Sequence, residues 1–240
     1  MKSIHHIPRN PKNDNLQQQA QALYHLMFVS FDSVPINQLN YSELGPIPTG
    51  WMVKPLSKVT TSIREKVKDN DYKVLSAINT GQLKLSEEYF TKQVFSKSIK
   101  NYIVVEPFDF AYNPARINIG SIGINNIGFT CCVSPVYVVI RTEPEYHFFF
   151  DFFIKSRRFS EEVKTRASGS VRQSLSYDEF GKIKVAYPPI EVIRQFNKKY
   201  EVLLMTMKLL KRENEQLVST RDTLLLKLMS GKIDVSNIQL

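Results

Sequence analysis

Cysteine is nearly absent from this chain: two occur among 240 residues, Cys131 and Cys132, side by side in an apolar setting. Neighbouring cysteines rarely bridge each other and offer too few ligands for zinc, so they read as buried free thiols. The four histidines, at 5, 6, 25 and 147, lack metal-ligand spacing. No run of roughly 18 or more apolar residues occurs, and the burst Tyr146-His147-Phe148-Phe149-Phe150 is far too short to span a bilayer. No signal-peptide apolar region follows Met1, so the expectation is a cytoplasmic protein with no membrane partner.

Cofactor motifs are missing too. Gly120, Gly123 and Gly128 do not make the GxGxxG spacing, and no GKS or GKT phosphate loop exists. Asn113-Pro114-Ala115-Arg116 has the outline of the Asn-Pro-Pro-aromatic motif of adenine methyltransferases. It lacks the second proline and the aromatic that would hold a flipped base. Glu162-Val163-Lys164, with Asp151 upstream, has the form of half a nuclease metal site, a tripeptide that a charge-rich chain contains by chance. These absences point to a non-catalytic chain with no cofactor or metal of its own.

What is present is basic charge and one long helical pattern. The net charge of +9, from 32 Lys and Arg against 23 Asp and Glu, favours an anionic partner, most commonly nucleic acid. After Pro188-Pro189, the residues Ile193, Phe196, Tyr200, Leu203, Met207, Leu210, Asn214, Leu217, Arg221, Leu224 and Leu228 recur alternately three and four apart. That is a coiled-coil heptad seam, sustained far beyond an ordinary helix of about 11 or 12 residues. The paired prolines suit its first turn, and Gly231 its C-cap. From Ile190 to Met229 the helix would span roughly 60 Å. Asn214 and Arg221 interrupt an otherwise apolar seam and can fix register and partner choice.

The remainder divides in two. Residues 1–14 read as a polar leader, and NLQQQAQALYHLMFVSF, 15–31, as a helix with Asp14 or Asn15 as N-cap, followed by a loop from Ser33 to Gly50. From Trp51 to Pro188, short β-branched and aromatic runs alternate with turns: Lys73 to Ile78, Tyr102 to Val105, Cys131 to Arg141 and Ile183 to Tyr187. Helical stretches are expected at Leu56 to Ser62 and Tyr146 to Ser156. The fold class is α+β: a leader and helix over 1–50, a mixed domain over 51–188 and the long helix over 189–240.

Three sets of basic and amide residues are candidates for phosphate and base contact. The first is Arg64, Lys66 and Lys68, expected before the first strand; the second is Asn113, Arg116 and Asn118 in a glycine-rich loop. The third lies in the run from Lys155 to Arg172, where Lys164, Arg166, Ser168, Ser170, Arg172 and Gln173 combine cations with small hydroxyls. Composition alone leaves a solvated helix face equally open for the third set. Tyr72, Tyr89 and Phe90 read as core or rim rather than stacking platforms.

Several ordered runs resemble the specificity (S) subunits of type I restriction-modification systems. They are NLQQQAQALYHLMFVSF with SELGPIPTGW at 42–51, DFAYNPARINIGSIGI at 109–124, VSPVYVVIR at 133–141, SGSVRQSLSYDEFGKIKVAYPPIEVIRQF at 168–196 and LLLKLMSGKIDV at 224–235. The resemblance covers nearly the whole chain from Asn15 onward. Full S subunits carry two target-recognition domains and two long conserved helices; this sequence has one domain, one complete helix and the tail of the other, and is similar to a half-subunit. The resemblance implies a prokaryotic, non-catalytic subunit that binds double-stranded DNA. It would direct methyltransferase (M) subunits using S-adenosylmethionine, and a restriction (R) subunit using ATP and Mg, to a split target. An N-terminal helix of about 26 Å cannot cover a seam of about 60 Å, so a homodimer through the long helix is expected. A silent specificity-gene copy and a DNA-independent coiled-coil adaptor are the alternatives.

Overall fold

The computed structural model describes residues 11–32, 34–91, 95–168 and 174–232. It divides into two compact units, one holding the described residues up to Met27 with those from Gln195 onward, the other Phe28–Arg194. In chain order the helices are α1 (Pro11–His25), α2 (Ser86–Tyr89), α3 (His147–Phe153), α4 (Arg157–Ser168), α5 (Tyr177–Gly181) and α6 (Ile190–Met229). The strands are β1 (Leu39–Ser42), β2 (Gly45–Pro48), β3 (Met52–Pro55), β4 (Thr60–Ile63), β5 (Lys73–Ile78), β6 (Gln82–Leu85), β7 (Ile103–Val105), β8 (Phe110–Tyr112), β9 (Ile122–Ile124), β10 (Cys131–Val133), β11 (Val138–Thr142) and β12 (Lys184–Tyr187). The fold is α+β, as the sequence predicts.

α6 runs from Ile190 to Met229, its residues from Gln195 onward belonging to the helical unit, the bounds set by the paired prolines and by Gly231. Ile193 and Val192 donate backbone N–H groups to the Pro189 carbonyl at 3.3 and 3.1 Å. At the other end Gly231 has φ +70°, its N–H reaches the Leu228 carbonyl at 3.1 Å, and Lys232 reaches back to Lys227 at 2.9 Å, a Schellman cap. The ring of Tyr24 in α1 meets Phe196 edge-on at 6.1 Å, and Phe196 stacks on Tyr200 at 5.6 Å. Beyond Tyr200 no described residue of α6 is buried. Leu203, Met207, Leu210 and Asn214 are half-buried, and Leu217, Leu224 and Leu228 are exposed.

α1 begins at Pro11, four residues before the expected start. Asn15 does not cap it; its side-chain oxygen accepts from the Gln19 amide at 2.7 Å, one turn on. Proline is compatible with a first helical turn, where its missing N–H has no partner to lose. The helix ends in a π-turn over Leu26–Ser30, after which Phe31 has φ +50°.

Two four-stranded sheets carry the larger unit, in the orders β6-β5-β10-β7 and β4-β11-β8-β9. Only the β5–β10 pair is parallel in them. Leu75, Leu83, Leu85, Val105, Cys131 and Val133 from the first sheet share one core cluster with Ala111 and Val139 from the second. Because strand side chains alternate, Cys131 joins this cluster while Cys132 joins Val67, Val74, Tyr102 and Val104 in another. The adjacent thiols therefore face apart, and burial pushes them up to about 11 and about 12. Both are free and buried, as expected.

Other expectations are corrected. The loop from Ser33 to Gly50 contains the β1–β2 hairpin, masked in sequence by Pro46 and Pro48, which an edge strand tolerates. Leu56 to Ser62 is a single 3-10 turn, Leu56–Lys58, and then β4, whose Thr60, Thr61 and Ile63 favour extension. Arg64, Lys66 and Lys68 therefore follow a strand. Cys131 to Arg141 is two strands in different sheets, broken at Ser134-Pro135.

The two sheets approach closely at Gly123. A Cβ there would lie 2.7 Å from the Gln82 carbonyl carbon and from the Leu83 nitrogen, both backbone atoms. Gly123→Ala is expected to lower stability by about 2 to 3 kcal/mol in denaturant unfolding, whereas at Gly128 nothing lies within 4 Å of the added carbon and the cost of alanine is the backbone strain of its φ of +99° alone.

Candidate nucleic-acid interface

Strand register determines where the candidate residues emerge. β4 and β8 are both antiparallel to β11, with Ile63 and Ala111 each opposite Val139. They therefore run the same way, two strand spacings or roughly 10 Å apart. Arg64 leaves β4 at the same end of the sheet as Asn113 leaves β8. Two of the three candidate sets, distant in sequence, begin side by side.

After Arg64 the chain is held by Val67, fully buried, whose N–H donates to the Tyr102 carbonyl at 2.9 Å. Alternation about Val67 exposes Arg64, Lys66 and Lys68. Lys66 reaches Asn101 at 3.5 Å, and Lys68 turns the chain with φ +56°, its N–H bonded to the Lys100 carbonyl at 3.0 Å. The neighbouring Lys100 is neutralised by Asp69 at 2.7 Å.

The Asn113–Ser121 connection is braced throughout. Asn113 accepts from the Ala115 N–H at 3.1 Å through its side chain, and its own N–H donates to the Ser121 carbonyl at 3.1 Å. The Ser121 hydroxyl donates to the Ala77 carbonyl at 2.8 Å. Gly120 has φ +88°, and a Cβ there would sit 2.8 Å from the Asn79 carbonyl oxygen. Arg116 is exposed, Asn118 half-exposed and Ile117 buried between them. Tyr112, the last residue of β8, stacks on Phe180 at 5.3 Å; the chain of rings continues through Phe159 to Phe153. Burial raises the Tyr112 hydroxyl well above the usual tyrosine range.

The third set lies on α4, which packs against the Ile117–Ile119 turn through a face including buried Phe159, Val163 and Ala167. The Leu175 N–H reaches the Pro114 carbonyl at 3.0 Å, bringing the chain after α4 to the same loop. Most of the charge on this stretch is internally matched. Arg157 pairs with Glu161 at 2.6 Å, Lys155 with Asp151 at 2.7 Å, and Arg166 with Glu162 at 3.2 Å and Glu179 at 3.9 Å. Lys164 is exposed. The side chain of Ser168, and Ser170, Arg172 and Gln173 entirely, lie outside the described residues. Arg64, Lys68 and Arg116 are exposed, and their side chains have no hydrogen-bond or ion partner among the described residues.

The opposite end of the sheet holds a group that composition does not single out. Asp109, 1% exposed, takes two hydrogen bonds from Arg141 at 2.6 and 2.8 Å and one from the Glu106 N–H at 2.8 Å. Glu106 also pairs with Arg141 at 2.7 Å. Hydrogen bonding to Asp109 raises the Arg141 guanidinium above its ordinary value. Among the described residues no cluster of three or more His, Cys, Asp or Glu is placed to hold a metal ion. Glu162 and Asp151 face Arg166 and Lys155, and Val163 is core. No described helix is long and apolar enough to cross a membrane.

No family model matches the chain, and no curated protein matches it. Solved structures do. The S subunit of a type I restriction-modification system from M. genitalium aligns with a TM-score of 0.54 at 15% identity, over 90% of this chain and 54% of that one. This chain has an S-subunit-like fold. The HsdS subunit from Thermoanaerobacter tengcongensis aligns at 0.47 and 14% identity, over 92% of this chain and 52% of that chain. The chain thus spans about half the length of these S subunits, with one β-rich unit and one complete long helix.

Asp109→Ala would leave Arg141 with Glu106 alone and the Glu106 N–H without its acceptor. It is expected to cost about 2 to 3 kcal/mol in denaturant unfolding, while DNA affinity measured well below the unfolding midpoint stays within twofold, because Asp109 is buried and its charge is taken up by Arg141.

Proposed function

We propose that this chain is a sequence-specific DNA-binding specificity subunit of a type I restriction-modification system, non-catalytic itself. The observation that carries the reading is the set of exposed cations whose side chains have no partner among the described residues, Arg64, Lys68 and Arg116, on the loops following β4 and β8 of an S-subunit-like fold. Lysine and arginine side chains held out from a rigid sheet end suit the phosphate backbone, and arginine and asparagine suit base edges. Lys164, exposed on α4, adds a further cation to these contacts.

In this reading two copies associate through the seam from Leu203 to Leu228, which is half-buried to exposed among the described residues. A two-fold dimer presents two reading surfaces to a split palindrome. The assembly brings methyltransferase subunits, with their S-adenosylmethionine, to an adenine in the target, and the ATP- and Mg-dependent restriction subunit with them. The working location is the cytoplasm.

Fluorescence anisotropy on duplex DNA across a salt series tests the DNA half of the reading. Contacts to about five phosphates per chain give a log–log slope of about −4 to −5. Arg64→Ala and Lys68→Ala should each reduce that slope by about one. A salt-independent affinity, or no binding, favours the coiled-coil adaptor instead. Sedimentation of the free chain should give a dimer, and a monomer that persists at tens of micromolar contradicts the shared seam.

A further inference from the structure

The braced loop between β8 and β9 has properties that a phosphate-binding loop does not need. A phosphate is also satisfied by a cation on a mobile tether, since neutralising its charge releases counterions wherever along the backbone the contact is made. Here the backbone beneath the cation is fixed at Asn113, Gly120 and Ser121 by hydrogen bonds to its own ends and to the Ala77 carbonyl, and by the close approach of Gly120 to Asn79. Base edges reward this rigidity, because bidentate pairing requires a defined position and angle.

The loop also exposes an apolar side chain where one is otherwise costly. Ile119 is 60% exposed, although Ile117, two residues earlier, is buried. Ile117–Ile119 is a 3-10 turn with Arg116 as its N-cap, and the Ile119 N–H donates to the Arg116 carbonyl at 3.2 Å. Residues three apart share a face of such a turn, separated by about 6 Å along its axis. Arg116 and Ile119 therefore form one outward ridge, with Asn118 beside it. At roughly 3.4 Å per base step, that ridge spans about two base pairs.

We infer that Arg116, Asn118 and Ile119 form a base-reading ridge for a G·C pair with an A·T pair within two steps of it in each half-site. Arg116 donates to the O6 and N7 acceptors of the guanine. Asn118 pairs with the N6 and N7 edge of the adenine, and Ile119 contacts the methyl of its thymine. Arg64 and Lys68 bind phosphates and carry no sequence information. The inference rests on the reading of the chain as a DNA-specificity subunit, and goes beyond it by separating residues that specify from residues that only attach.

The test is selection of random-sequence duplexes by the full chain, repeated with Arg116→Ala, Arg116→Lys, Ile119→Ser and Arg64→Ala. The wild type should enrich a motif containing guanine near an A·T pair. Arg116→Ala should relax that guanine alone, with a loss of discrimination of roughly 5- to 100-fold. Arg116→Lys should relax it too while leaving the salt slope unchanged, because the charge is kept and the two-pronged geometry lost. Ile119→Ser should weaken the preference at the A·T pair, and Arg64→Ala should lower affinity for every sequence equally. An unchanged motif in both Arg116 variants overturns the ridge and leaves the specificity-subunit reading standing. Failure of the wild-type chain to enrich any motif overturns both.

Discussion

The backbone of β9 lies against the backbone of β6 at Gly123 with no space for a side chain, and the geometry of the candidate surface depends on that approach. It fixes the edge of one sheet against the edge of the other. The Asn113–Ser121 connection then closes over the β5–β6 turn, where Gly120 meets Asn79 and Ser121 meets Ala77. A bulkier residue at 123 would separate the edges, and the loop would lose its floor. On the helical side, the ring sequence from Phe153 through Phe159 and Phe180 to Tyr112 ties the end of β8 to α3, α4 and α5.

Charge is distributed unevenly along that sheet. The side chains of Arg64, Lys68 and Arg116 have no partner among the described residues, whereas Arg141 is bound by two carboxylates, one of them buried. Coulomb attraction to a polyanion acts through unneutralised charge, and a guanidinium already paired contributes little at physiological screening. The same reasoning ranks α4 below the loops, since its arginines at 157 and 166 face glutamates. Basic composition in a segment is therefore a poor guide to the face it presents.

How much of this was legible in the sequence varied with the range of the interactions involved. The bounds of α6 depend on local signals, two prolines and a glycine, and β5 on a short, mostly apolar run ended by Asn79-Thr80-Gly81, so both could be read directly. The β1–β2 hairpin was hidden because prolines that would break a central strand are tolerated at an edge. The fusion of β10 and β11 into one expected run overlooked Pro135. Arg64 and Asn113 emerge together only because of the β4-β11-β8 register, which no local pattern encodes. Arg116 and Asn118 were recognisable by residue type. Ile119 was not, since Ile117 two residues earlier is equally apolar and only the structure shows which of the two is buried. The unburied seam beyond Tyr200 was foreseeable from helix lengths alone, since α1 with its π-turn covers 20 residues, Pro11–Ser30, against 40 in α6.

The central claim is that this chain confers a DNA target on a methyltransferase. It is tested most directly by mapping N6-methyladenine across the genome in cells expressing the cognate methyltransferase subunit with and without this chain. The account predicts a split, palindromic methylated motif that disappears when the chain is absent. Identical maps in the two strains would contradict it.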